Sequence, residues 1–169
     1  MKDIQRLANK VAIITGAARG QGAHEARRFV EEGARVVLTD LSESGEDVAK
    51  ELGESACFVK HDVGDEDGWR KVVEVAVRKF GDVNVLVNNA GIFRPASFED
   101  TTSEAFEQHF RVNQLGMFLG VKSVLSTMKS AGGGSIINIS SIAGLRGYAD
   151  MIAYCSTKWG GRGVTLGAA

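Results

Sequence analysis

Five short runs rich in valine and isoleucine constrain the fold of this chain more than any other feature: Val11–Thr15, Arg35–Asp40, Ala56–Lys60, 83–88 and 135–140. Each is apolar at successive positions instead of alternating, the pattern of strands covered on both faces of a parallel sheet. Parallel neighbours need long crossovers, and helical patterns lie between the runs. In 66–80, Trp69, Val72, Val73, Ala76, Val77 and Phe80 recur at the spacing of one helix face. Residues 21–32 place Ala23, Ala26, Phe29 and Val30 similarly, with Gly33 as a stop. The stretch 43–54 reads as a solvated helix. A longer helix is predicted from about 103 to 129, on the stripe Phe106, Phe110, Asn113, Met117, Val121, Val124, Met128, with Thr101, Thr102 or Ser103 as its N-cap. The order βαβαβαβαβα predicts an α/β domain with a doubly wound parallel sheet in strand order 3-2-1-4-5 and right-handed crossovers.

Composition narrows the function. At 169 residues and 44% hydrophobic, one domain is expected, and disorder is excluded. With 20 basic against 21 acidic residues there is no basic excess to displace phosphate counterions, so nucleic acid is not an expected partner. Residues 1–10 hold no apolar signal core, and no run approaches a membrane span. Cys57 and Cys155 lie far apart, which predicts neither a disulfide framework nor a zinc site, and makes a reducing, cytoplasmic setting the default. His24, His61 and His109 show no metal spacing and read as ordinary helix, strand and surface residues; no metal is expected. Against one proline stand 21 glycines, which implies tight turns or close backbone approach to a ligand.

The first strand runs into Thr15-Gly16-Ala17-Ala18-Arg19-Gly20-Gln21-Gly22, where a helix begins. Glycines at G-x-x-x-G-x-G allow a turn tight enough for a pyrophosphate against backbone N–H groups at a helix N-terminus, a Rossmann-like arrangement. The plainer reading is a glycine-rich turn with no ligand. Asp40, ending the second run 18 residues beyond Gly22, favours the ligand: its carboxylate suits both adenosine ribose hydroxyls and repels a 2′-phosphate. NAD is therefore expected ahead of NADP, although Arg19 is able to pair with a 2′-phosphate or contact the diphosphate. Asp62-Val63 follows the third run, where a carboxylate either meets the adenine amino group or simply shapes a turn. Asn88-Asn89-Ala90-Gly91 follows the fourth, with small residues for close approach and amides able to tie loops together.

The chemistry gathers near the C-terminal end. The fifth run ends in Ser140-Ser141, and thirteen residues after Ser141 comes Tyr154-Cys155-Ser156-Thr157-Lys158. On a helix, Tyr154 and Lys158 share a face. A phenol with an ordinary pKa of ~10 is a poor base at neutral pH, and a nearby ammonium favours its phenolate. Tyr154 is then placed to take a proton from a secondary alcohol while hydride leaves the carbon, with Ser141 bonding the same oxygen. Asn113 stands on an otherwise apolar stripe. It is either a core amide satisfied by a neighbouring carbonyl or the anchor of a water linking Lys158 to solvent. Cys155 reads as a spectator thiol beside Tyr154.

These residues resemble the short-chain dehydrogenase/reductase family across essentially the whole chain: TGAARGQG at 15–22, Asp40, Asp62-Val63, NNAG at 88–91, Asn113, INISS at 137–141 and YCSTK at 154–158. The wording AGGGSIINISSIAG is similar to the hydroxysteroid dehydrogenases within it. The resemblance implies NAD(P)-dependent interconversion of a secondary alcohol and a ketone, with Asn113, Ser141, Tyr154 and Lys158 as catalytic tetrad. It implies a cofactor site of Gly16, Arg19, Gly20, Gln21, Gly22, Asp40, Leu41, Asp62, Val63, Asn89, Ala90 and Gly91 with Tyr154, and Lys158 on the nicotinamide ribose. It also implies self-association through the helices carrying Asn113 and Tyr154.

One departure stands out. Members of that family run well beyond this length, so the Rossmann domain at 1–169 is expected to be incomplete at its C-terminus, its later strands missing. The fifth strand would be an open edge prone to association, and 160–169 would lack most of its packing partners. Self-association is expected to be weakened accordingly. The alternatives to a catalytic chain are a non-catalytic dinucleotide-binding module and an inactive fragment.

Overall fold

The computed structural model describes residues 5–169, so the first four positions of the amino-terminal stretch read above lie outside the described residues. Strands β1 (Val11–Thr15), β2 (Arg35–Asp40), β3 (Ala56–Lys60), β4 (Val85–Asn88) and β5 (Ser135–Asn138) pair in parallel in the order β3-β2-β1-β4-β5. This is the α/β sheet order that the sequence predicts. The fourth and fifth strands are shorter than their apolar runs. Val83 donates its N–H to Thr127 Oγ1 at 3.0 Å instead of joining the ladder.

Successive side chains of each strand point to opposite faces, and both faces are covered. Val11, Ile13, Val37 and Leu86 pack with Trp69, Val72, Ala76 and Phe80 of α3 (Glu66–Phe80) on one side. On the other, Ala12, Ile14, Val36, Leu38 and Val87 pack with Ala23 and Ala26 of α1 (Gly20–Glu31) and Val48 and Ala49 of α2 (Gly45–Leu52). This two-sided burial is why the runs do not alternate. α3 keeps the predicted limits because Asp65 caps its start, accepting the N–H of Asp67, and Gly81 at φ +98° ends it.

The long helix departs from prediction in one respect. It starts where Thr102 caps Ala105 at 3.1 Å, and runs as α4 (Ser103–His109), a wide π-helical turn (Phe110–Leu115) and α5 (Gly116–Ser130). A π turn inserts one residue into the helix period and so rotates everything before it. The buried face therefore passes from Asn113 back to His109, and Phe106 and Phe110 are exposed. His109, read as a surface residue, is buried. Its ring bonds Ala105 O at 2.7 Å, and its Nε2 accepts the N–H of Arg94 at 3.2 Å.

β5 pairs with β4 alone among the described residues, and Ile137 on it is exposed. The last helix, α6 (Ile152–Gly167), packs beside the α4–α5 helix. Its end has more support than the sequence suggests: Gly161 is buried, Arg162 Nη1 donates to Gly144 O at 3.0 Å, and Thr165 Oγ1 accepts from Asn138 at 3.0 Å. The rest of 160–169 is largely exposed. No helix of the described residues is long and apolar enough to cross a membrane.

His61 follows β3 and is buried edge-on against the Trp69 ring, with centroids 4.7 Å apart. Burial lowers its pKa below the ordinary value, against the opposing pull of Asp65 and Asp62. Its neutral form therefore stabilises the fold above the unfolded-state pKa of ~6.5, and that contribution is lost as pH falls through this value. Urea midpoints measured from pH 8 to 5.5 are expected to fall more steeply for the native chain than for His61→Gln; parallel slopes would contradict this.

Candidate active site

The site grows from the C-terminal ends of β1 and β4, neighbours in the sheet that reach their ends together. Thr15 Oγ1 accepts the backbone N–H groups of Asn89 (3.1 Å) and Ala90 (2.9 Å). Asn89 Nδ2 donates in return to Thr15 O (2.9 Å) and Gly16 O (3.1 Å). The glycine turn after β1 is thus clamped to the loop after β4, as the amide-rich sequence there predicts. The clamp leaves no room. A Cβ on Gly16 would stand 2.8 Å from Ala90 Cα, and Gly16 has φ +64°; a Cβ on Gly22 would stand 2.6 Å from Asn89 Nδ2.

Above the clamp lies a cleft of about 550 Å³, at the point where the strand order reverses. Gly16, Arg19, Asp40, Leu41, Asp62, Val63, Asn89, Ala90 and Gly91 line it, as the sequence reading expects. Gly20, Gln21 and Gly22 do not. Gly22 packs behind the turn, Gly20 supplies a φ of +58°, and the Gln21 amide donates to Glu25 at 2.8 Å. Asp40 is held by two backbone donors, Ala18 N–H at 3.1 Å and Ser42 N–H at 2.9 Å, so it also fastens the glycine turn to β2. Asp62 does what the plainer reading expected, bonding Gly64 N–H at 2.9 Å, and remains on the cleft wall. Arg19 is exposed, with no ion pair among the described residues. The cleft also takes Ser42, His61, Ile92, Arg94, Gln108 and Val112, which no local pattern in the sequence marks. Arg94 and Gln108 meet there through a 2.6 Å hydrogen bond between a loop and a helix.

At the other end of the site the four predicted catalytic residues converge. Ser141, whose Oγ accepts Ala143 N–H at 3.1 Å, and Tyr154 line one cavity of about 280 Å³ with Phe93, Ile142, Tyr148 and Met151. The Phe93 ring lies 4.9 Å from that of Tyr154. Lys158 is buried; its Nζ donates to Ile139 O at 2.8 Å and lies 5.6 Å from the Tyr154 ring centroid. Burial pushes the Lys158 ammonium pKa down. Asn113 takes the satisfied-amide form: Nδ2 donates to Ile92 O (2.9 Å) and Thr157 Oγ1 (3.2 Å), and Oδ1 accepts Ile92 N–H (2.8 Å). Gly91 joins the two ends, since a Cβ there would stand 3.3 Å from Asn113 Oδ1 and 3.8 Å from Lys158 Nζ. Cys155 is buried and Cys57 half-buried; both are free thiols. Among the described residues no three metal-ligating side chains cluster.

A family model described as short chain dehydrogenase matches residues 10–169. The chain belongs to the short-chain dehydrogenase family. It is 46% identical over 165 residues to a 3-alpha-(or 20-beta)-hydroxysteroid dehydrogenase of Mycobacterium tuberculosis, covering 97% of this chain and 64% of that protein. It is 45% identical over 170 residues to a trans-4-hydroxycyclohexanecarboxylate dehydrogenase of Sinomonas cyclohexanicum, covering 95% and 65%. It is also 45% identical over 157 residues to an NADP-dependent (R)-specific alcohol dehydrogenase of Lentilactobacillus kefiri, covering 90% and 62%. The chain thus spans under two thirds of the length of these relatives.

The clamp makes a direct prediction. Gly22→Ala forces a methyl group against Asn89 and is expected to cost about 1–3 kcal/mol, as overpacking does, and to weaken dinucleotide binding with it. Urea unfolding and an NADH titration check this; native-like values for both would contradict the clamp's role.

Proposed function

We propose that residues 1–169 form a nicotinamide-dinucleotide-binding domain, and that the protein is an NAD-dependent oxidoreductase interconverting a secondary alcohol and a ketone. The observation that carries this reading is a chain of close neighbours: Ser141 and Tyr154 line one mainly apolar cavity, Lys158 Nζ lies 5.6 Å from the Tyr154 ring centroid, and Lys158 and Asn113 both stand beside Gly91, which lines the cleft. The cleft fits the cofactor: Gly16, at φ +64° and with no space for a Cβ, presents bare backbone on its wall for a pyrophosphate, and Asp40 stands on the same wall to meet the ribose. The Asp40 carboxylate supports NAD over NADP by repelling a 2′-phosphate, while Arg19 pulls weakly the other way.

When bound, the nicotinamide ring supplies the hydride acceptor or donor. In the oxidising direction Ser141 holds the substrate oxygen and Tyr154 takes its proton as the carbonyl forms. Lys158 holds the nicotinamide ribose and places positive charge beside Tyr154. Asn113 pins Ile92 to α6 through Thr157, and one acceptor position on its Oδ1 remains for the water that links Lys158 to solvent. Phe93, Ile142 and Met151 give the substrate cavity apolar walls, which suits an alicyclic alcohol such as a hydroxysteroid, in keeping with the names of the relatives. A cytoplasmic location and a weakened self-association through the long helix carrying Asn113 and through α6 complete the reading.

Tyr154→Phe tests it on a panel of steroid and small alicyclic alcohols. Turnover is expected to fall by about 10²-fold or more while NADH affinity is kept, since the lost group is a general acid–base. Undiminished turnover would contradict the role of Tyr154. NADH binding with no turnover by the native chain would favour a non-catalytic binding module instead.

A further inference from the structure

We infer that Arg111 is a positioning residue for adenine recognition: its ion pair with Asp62 holds that carboxylate on the cleft wall, where it accepts the exocyclic amino group of the cofactor's adenine. The inference rests on the nicotinamide-dinucleotide reading above and adds to it a residue that does not itself line the cleft.

Asp62 is gripped at both oxygens. Oδ1 accepts Gly64 N–H at 2.9 Å, and Oδ2 accepts Arg111 Nη2 at 2.9 Å. A carboxylate offers about four acceptor positions, so two remain for a ligand. The backbone bond alone leaves Oδ2 free, and the Asp62 side chain is about a third exposed, so nothing else in the described residues fixes the second oxygen. Arg111 is itself well placed. Its stem lies on Gly64, where an added Cβ would stand 2.7 Å from Arg111 Cγ, so the glycine makes the seat for the arginine.

The π-helical turn explains why Arg111 arrives there. The turn spans Phe110–Leu115 and carries Arg111 toward Asp62 while Asn113, two residues on, bonds Ile92 and Thr157. One wide turn thus braces both ends of the site. An exposed ion pair of this kind contributes little to stability, so its removal is expected to leave the fold intact.

The test compares NADH with its deamino analogue, in which the 6-amino group of adenine is replaced by a carbonyl oxygen, a change from donor to acceptor. Both are titrated by cofactor fluorescence into the native chain and into Arg111→Leu, Arg111→Lys, Asp62→Asn and the Arg111→Leu/Asp62→Asn double variant, with circular dichroism as the check on folding. The native chain is expected to prefer NADH by about tenfold, the size of one hydrogen bond to a charged acceptor. Arg111→Leu and Asp62→Asn are expected to bring the ratio close to one, the double variant to add nothing further, and Arg111→Lys to keep most of the preference. Affinity for the deamino analogue is expected to change little in Arg111→Leu.

Equal weakening of both ligands in Arg111→Leu, with the ratio kept, would overturn the inference, since that is the signature of a merely structural role. So would a native chain with no preference. If Arg111→Leu does not fold, the contrast decides the matter: loss of the ratio in Asp62→Asn with its retention in Arg111→Lys supports the inference, and the same ratio in both overturns it. Failure of the folded native chain to bind NADH at all would instead overturn the dinucleotide reading on which the inference rests.

Discussion

The amide of Asn89 and the hydroxyl of Thr15 hold together what the rest of the site depends on. Two parallel strands adjacent in the sheet end side by side, and their following loops turn away from each other, which opens a cleft between them. Such a crevice would spread without a tie across it. The reciprocal bonds from Asn89 and Ala90 to Thr15, and from the Asn89 amide to Thr15 and Gly16, supply that tie. They also explain the glycines. Gly16 and Gly22 lie where a Cβ would strike the clamp, so much of the motif serves packing beneath the cleft and less of it faces a ligand.

The second organising device is the π turn of the long helix. By shifting the helical register by one residue it buries His109, which fixes the 91–96 loop through Arg94, and it aims Asn113 at Ile92. The loop after β4 is therefore clamped below by Asn89 and held from the side by Asn113 and His109. Support of this kind holds the cleft and the Tyr154 cavity in fixed relation, which the proposed hydride transfer between two bound molecules requires.

Much of this was legible in the sequence for a physical reason. Strands buried on both faces must be apolar throughout, a helix over one face must repeat every three to four residues, and a turn with φ > 0 favours glycine. Hence the sheet order, the limits of α3 and most of the cleft residues after β1, β2 and β4 could be read from local pattern. The single helix predicted over 103–129 and a surface His109 failed together, because a π turn leaves no local signature and its one-residue shift reassigns every earlier position. Arg94, Gln108 and Arg111 were missed for a related reason: each acts through a partner distant in sequence, and an arginine on a helix looks the same whether it is solvated or paired. Asp62 shows the opposite case, in which the turn role and the ligand role were both readable and the structure uses the first while leaving room for the second.

The glycine turn and Asp40 are proposed to form a site for NAD. The most direct measurement is a titration of the folded 169-residue chain with NADH and, in parallel, NADPH, followed by cofactor fluorescence. Saturable binding of NADH is expected at least about tenfold ahead of NADPH, since a 2′-phosphate would face the Asp40 carboxylate. Equal affinity for the two, or tighter binding of NADPH, would contradict the assignment of Asp40, and binding of neither would contradict the site itself.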